Sequence, residues 1–220
     1  TVTFNYAADS HYKGLQHSGD MVYNKCTING QVFLYGNSET FNDCTFNNTG
    51  DNSHVWTYGA KEVVFNGCTF YSDGKSVLVY SEGATHFIDV MVEDSKFNAT
   101  ALVDGKAAIE IDTSLTAGAS INVDATTTAT GFGNGSVSGN SLWNNKKGNN
   151  TDANNDITVV VDGTTVLAPV TFVAKIGDIG YTTIADAVKA ANAGETVTIL
   201  AGNYTTDISV NKAITVVGET

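Results

Sequence analysis

Arginine is absent from this chain of 220 residues: all eleven basic positions are lysine, against 23 Asp and Glu, for a formal net charge of −12. Nucleic acids and anionic membrane surfaces select basic faces, so neither is expected as a partner. Proline occurs once, and charged residues make up only 15%, well under the roughly one quarter usual in soluble domains. No window approaches the ~20 apolar residues of a spanning helix, so no membrane insertion is expected. No signal-peptide pattern opens the chain, and Thr1 reads as the edge of a mature or cut segment. Cysteine is scarce and odd in number, and Cys26, Cys44 and Cys68 lack the close pairs that zinc sites use. They are expected to be buried free thiols acting as small apolar residues.

What is plentiful is Gly, Asn, Thr and Val. Asn and Gly favour turns and Val and Thr favour strands, so the composition indicates a β-rich chain with many tight turns. Three stretches repeat one another: Tyr23-Asn-Lys-Cys-Thr-Ile-Asn29, Phe41-Asn-Asp-Cys-Thr-Phe-Asn47 and Phe65-Asn-Gly-Cys-Thr-Phe-Tyr71. Val92-Glu-Asp-Ser-Lys-Phe-Asn98 is a weaker fourth copy. A second series, Val32-Phe-Leu-Tyr-Gly36, Val55-Trp-Thr-Tyr-Gly59 and Val77-Leu-Val-Tyr-Ser81, runs between them. Units this short cannot bury a core alone, so they predict a stacked solenoid. With one copy per coil, equivalent residues stack at about 4.8 Å. The three cysteines then form an internal ladder, and the asparagines before them form another at a bend, where side-chain amides satisfy one another.

After Ala99 the periodicity fades. Ala107–Asp112 and Ala119–Asp124 read as short strands, and 134–155 as a Gly/Asn-rich loop anchored by Leu142-Trp143. Residues 156–166 read as a hairpin turning at Asp162-Gly163. Tyr181–Gly194 is the one convincing helix, with Thr183 and Asp186 as a capping box, Ile184, Val188 and Ala191 on one face, and Gly194 as its stop. Short strands at Thr196–Leu200, Ile208–Val210 and Ala213–Val217 follow. The expected organisation is β-helix coils over 1–150, a hairpin and connecting segment over 151–175, and a helix cap with the first coils of a β-helix over 176–220.

The 181–217 segment resembles the opening of pectin-lyase-like β-helices, where a Tyr-Thr-Thr-Ile-x-x-Ala-Val helix precedes a Gly-Asn-Tyr turn and an Ile-Thr-Val-Val-Gly strand. The Asn-x-Cys-Thr-Phe copies resemble a coil motif of β-helix surface proteins of mucosal bacteria. Together they cover roughly two-thirds of the chain. The resemblance implies an all-β, right-handed parallel β-helix with one short capping α-helix, in a secreted or cell-surface bacterial protein. A cap that ordinarily opens such a helix stands here at the end. That order fits a register cut from tandem copies, or a unit that stacks head to tail with itself. Ile184, Val188, Ile208, Val210, Ile214 and Val216 are the expected cap and assembly residues. The leading expectation is a structural or adhesive module. A carbohydrate-active protein and a phage tail-spike element are the alternatives.

The resemblance also implies polysaccharide chemistry, and the residues speak against it. Pectate lyases, pectin methylesterases and polygalacturonases each use an arginine that this chain lacks. A carboxylate pair for glycoside hydrolysis would have to come from Glu82, Asp89, Glu93, Asp94, Glu110 and Asp112 through stacking, and no catalytic residue is assigned. The histidines, His11, His17, His54 and His86, show no metal-ligand spacing. Asp152, Asn154 and Asp156 place oxygen ligands at alternate positions, so calcium is the one cofactor the sequence suggests, although the loop lacks the Gly and distal Glu of an EF-hand. Trp56 and Tyr58, with Asp51 and Asn52, are the candidate contacts to host or environmental glycans if they face outward. If inward they are core, and that orientation is the one expected for the tyrosine series.

Overall fold

The computed structural model describes residues 1–6, 14–17, 19–47, 53–81, 83, 86–113, 115, 117–133, 141–146 and 156–219. They form two compact units: Thr1–Asn149 with Asp156–Ala168, and Pro169–Thr220 with Asn150–Asn155. The first unit is a parallel β-helix of three sheets. One sheet stacks Thr3–Asn5, Thr27–Asn29, Thr45–Asn47, Thr69–Ser72, Lys96–Asp104 and Thr128–Gly133. The second stacks Gly14–His17, Gln31–Leu34, Ser53–Trp56, Lys75–Val79, Ile109–Ile111 and Trp143–Asn145. The third stacks Met21–Asn24, Ser38–Asn42, Glu62–Asn66, Ile88–Glu93, Ala119–Val123 and Ile157–Val161. Every pairing among these strands is parallel, and the chain visits first, second and third sheet in turn. The coils therefore continue well past Ala99, and Trp143–Asn145, expected in a loop, is a strand of the second sheet.

The Asn-x-Cys motif builds the bend between the third and first sheets. The residue after each Asn is left-handed, with φ of 55° at Lys25, 52° at Asp43 and 64° at Gly67, and Asp94, after Glu93 in the weaker fourth copy, takes 47°. Its N–H crosses to the next coil: Lys25 donates to Asn42 O, Asp43 to Asn66 O and Gly67 to Glu93 O, at 2.8 to 2.9 Å. The preceding asparagines stack, with Asn42 Nδ2 donating to Asn24 Oδ1 at 2.9 Å and Asn66 Nδ2 to Asn42 Oδ1 at 3.5 Å. The chain then turns inward at Cys26, Cys44 and Cys68, which are buried and free. Cys26 N–H donates to Cys44 Sγ at 3.4 Å, and Ser95 continues the ladder by accepting from Cys68 N–H at 3.0 Å.

Phenylalanines fill the interior on both sides of that bend. Phe46, Phe70 and Phe97 stack face to face at 4.4 and 4.6 Å, and Tyr23, Phe41 and Phe65 stack at 4.9 and 5.5 Å. The two columns meet edge-on, as between Phe65 and Phe70. The expected hairpin closes the third sheet: Thr164–Leu167 pairs antiparallel with Ile157–Val161. Asp162 and Gly163 both take positive φ, the demand of a tight two-residue turn.

In the second unit, helix Ile184–Ala190 is capped by Thr183, whose Oγ1 accepts from Asp186 N–H at 3.0 Å and donates to Asp186 Oδ2 at 2.7 Å. The helix ends four residues before Gly194, which sits in the following turn instead of stopping it. Ile184, Ala187, Val188 and Ala191 are buried with Ala174 and Val197 in a small core of their own. A four-stranded sheet covers it, in the order Ile179–Tyr181, Ala174–Ile176, Thr196–Ile199, Thr215–Gly218. The strand expected at Ile208–Val210 does not form; these residues stand in no sheet.

Candidate functional site

Parity along the second sheet decides which aromatic side chains reach the surface. Val32, Val55, Val77, Ile109 and Trp143 share one register row and lie in the core. The next residue of each strand therefore belongs to the outer face, in the row Phe33, Trp56, Leu78, Glu110, Asn144. Trp56 and Tyr58 face outward with it, contrary to the inward orientation expected for the tyrosine series. The interior on that side is supplied by Val55 and by Thr57, which is fully buried.

Outward placement does not mean free exposure. Phe33 is 1% exposed, lying 5.8 Å from both Trp56 and Tyr58. Tyr58 contacts Tyr35 at 4.8 Å and Tyr80 at 5.5 Å, and Trp56 meets Tyr80 edge-on at 5.6 Å. Two local features hold this terrace. Tyr58 adopts a left-handed φ of 47°, which turns its ring back over the strand ends. Thr57 Oγ1 donates to Tyr80 O at 2.6 Å and accepts from Tyr80 N–H at 2.9 Å, fixing Tyr80 beside it. Tyr35, 41% exposed, is the open rim. Trp56 Nε1 is a buried donor with no acceptor among the described residues. Asp51 and Asn52, the polar partners expected for this face, lie outside the described residues.

Further along the same face stands a charged cluster that the sequence does not reveal. Glu110 is fully buried, and its Oε2 lies 3.0 Å from Lys146 Nζ and 3.7 Å from Lys75 Nζ. Ala107 N–H donates to its Oε1 at 3.3 Å. Burial pushes the Lys75 ammonium below the usual lysine range, while the Glu110 charge acts in the opposite sense. One of the six carboxylates considered for hydrolysis is thus engaged by two lysines. A second buried carboxyl, Glu39, points into the core between Met21 and Val63 of its register row. Burial raises it to about 7 with help from Asp20, against the Gly36 N–H that donates to it.

Among the described residues no three His, Cys, Asp or Glu converge as a metal site. Of the calcium candidates, Asp152 and Asn154 lie outside the described residues. Asp156 is exposed, and its carbonyl accepts from Ala119 N–H at 3.0 Å as the strand begins. His86 Nε2 lies 3.2 Å from Ala60 O.

The cap and assembly residues divide into two groups. Ile184 and Val188 are buried in the second unit's core, and Ile214 packs against it. Ile208, Val210 and Val216 are exposed, at 38%, 49% and 42%. No family model, no curated protein and no solved structure matches the chain.

Proposed function

We propose that the chain is a non-catalytic structural and adhesive module of a secreted or surface-anchored bacterial protein, kin to the pectin-lyase-like β-helices and built to stack end on end with further copies. The observation that carries this reading is the open end of the second unit. Val216 shares a register pair with the core residue Val197, so it points to the core side, yet it is exposed together with Ile208 and Val210. An outermost parallel strand with core-facing apolar side chains in water is a template for another strand. A contact between unlike ends is heterologous and propagates when it does not close. The absence of arginine, and a Glu110 held between lysines, further favour a structural role over the sugar chemistry of that family. Electron microscopy of the purified chain over a concentration series tests the reading. Filaments with a regular axial repeat are expected, and single particles at every concentration would rule out assembly.

A second reading, attachment to a polysaccharide, is favoured by the outward aromatic terrace. Aromatic faces stack on the C–H faces of sugar rings, and the orphaned Trp56 N–H supplies a hydrogen-bond donor beside them. On a glycan array followed by tryptophan-fluorescence titration, Trp56→Ala is expected to weaken any bound glycan about tenfold. Because Trp56 packs on Phe33 and Tyr80, the variant's unfolding midpoint should fall while it stays folded at the titration temperature, and an array without a binder would remove this reading.

A further inference from the structure

The strands of the first sheet repeat a three-residue theme of hydroxyl, inward apolar residue and asparagine: Thr3-Phe4-Asn5, Thr27-Ile28-Asn29, Thr45-Phe46-Asn47. Their asparagines form a ladder of a single polarity. Asn47 Nδ2 donates to Asn29 Oδ1 at 2.8 Å, and Asn29 Nδ2 donates to Asn5 Oδ1 at 2.6 Å. Asn5 ends the ladder, and Thr3–Asn5 is the edge strand of its sheet. Among the described residues, Asn5 Nδ2 donates to none. Phe4 is only partly buried where Ile28 and Phe46 are wholly so, and Val2 before it is exposed.

The second unit carries the matching piece. Ser209-Val210-Asn211 repeats the theme of hydroxyl, apolar residue and asparagine, stands in no sheet, and leaves Val210 in water. The order of elements is compatible. In the first unit the edge strands follow as Thr3–Asn5, Gly14–His17 and Met21–Asn24, one per sheet; in the second, Ser209–Asn211 precedes Thr215–Gly218, a parallel edge strand. The first and third of those edges thus find, in the same sequence order, a segment outside any sheet and a parallel edge strand in the second unit.

We propose that Ser209–Asn211 of one copy pairs in register and in parallel with Thr3–Asn5 of a second copy, so that Asn211 extends the asparagine ladder and Val210 seats against Phe4. This rests on the stacking reading above and adds to it the partner and the register. Asn5 Nδ2 then donates to Asn211 Oδ1 with the polarity of the two rungs already present. Ile208 covers Val2, and Thr215–Gly218 lies along Met21–Asn24, whose inward-row Met21 is exposed. The ladder supplies what apolar contact lacks, a penalty for slipping by one residue: a slip would oppose Val210 to Thr3 or Asn5 and turn the apolar set to the wrong face.

Sedimentation velocity of the 220-residue chain over a concentration series, with two variants, tests this. Val210→Asp buries an unpaired carboxylate in the contact and is expected to raise the concentration needed for assembly about a hundredfold. Val166→Asp, an equally exposed valine on the hairpin, should leave it unchanged. Both positions are exposed, so thermal melting of the two variants should match the parent. If the parent assembles and Val210→Asp assembles equally well, the register is wrong while the stacking reading stands. Equal weakening by both variants would show unspecific association and overturn the register. A parent that stays monomeric at every concentration would overturn both.

Discussion

Replacing Phe70 by alanine is expected to destabilise the first unit by about 3–5 kcal/mol. Phe70 is fully buried and sandwiched between Phe46, at 4.4 Å and 2° between ring planes, and Phe97, at 4.6 Å and 20°. Phe65 presses on it edge-on at 5.2 Å. A globular core can partly collapse around such a vacancy, but these coils cannot. Their spacing is fixed by backbone bonds from Thr69 N–H to Cys44 O and from Lys96 N–H to Cys68 O, at 2.9 and 2.8 Å. Most of the cavity therefore persists, and the cost falls toward the upper end of the range. The adjacent Tyr71 points outward and is exposed, so Tyr71→Ala should stay within about 0.5 kcal/mol of the parent. Urea unfolding of the two variants checks the contrast. A Phe70→Ala loss below about 1 kcal/mol would mean that the aromatic column is not what holds adjacent coils together. Stacked repeats touch only their neighbours, so a loss at this central coil should also broaden the transition as the two halves uncouple.

The coils that announced themselves in the sequence are those whose bend constrains residue identity. A left-handed position after an asparagine, a stacked amide and a small inward thiol together specify Asn-x-Cys at Asn24, Asn42 and Asn66. Beyond Ala99 the same architecture continues without that signature. Ser95 and Thr127 take over the inward ladder, with Ser95 N–H donating to Thr127 Oγ1 at 3.2 Å, so a hydroxyl does there what sulfur did earlier. Trp143 reads as a loop anchor because the residues around it are glycine and asparagine, yet it belongs to the core. The orientation of Trp56 was within reach of parity alone. Val55 and Thr57 must share a face, which puts Trp56 on the other, although the tyrosine series was expected to face inward. The Lys75–Glu110–Lys146 cluster was not legible, because coils of unequal length bring its three members together and the sequence spacing between them has no period. Ile208–Val210 reads as a strand from its alternation but stands in no sheet.

Glu110→Ala should be the most damaging of the charge substitutions, at about 3–5 kcal/mol, because it strips the counter-charge from two ammonium groups. The cost divides unequally. Lys146 keeps 29% of its side chain in water and can turn outward, whereas Lys75 keeps only 10%. Lys75 is therefore the group that suffers, and burial already holds its folded pKa below its unfolded value. For a lysine depressed in this way the unfolded chain binds the proton more tightly, so stability rises with pH between the folded and unfolded values. Removing the Glu110 charge takes away the influence that raises the Lys75 pKa, so the window widens downward and the rise begins at a lower pH. Glu110→Ala should thus regain part of its loss on going from neutral to mildly alkaline buffer, more than the parent gains over the same interval. The triple variant Lys75→Met, Glu110→Leu, Lys146→Met should recover parental stability or exceed it at neutral pH, since well-packed apolar residues commonly match a buried ion cluster. Denaturant unfolding of the three proteins at both pH values decides the matter. A triple variant as unstable as Glu110→Ala would mean that the cluster determines the local packing of the outer face and does more than neutralise its own charges.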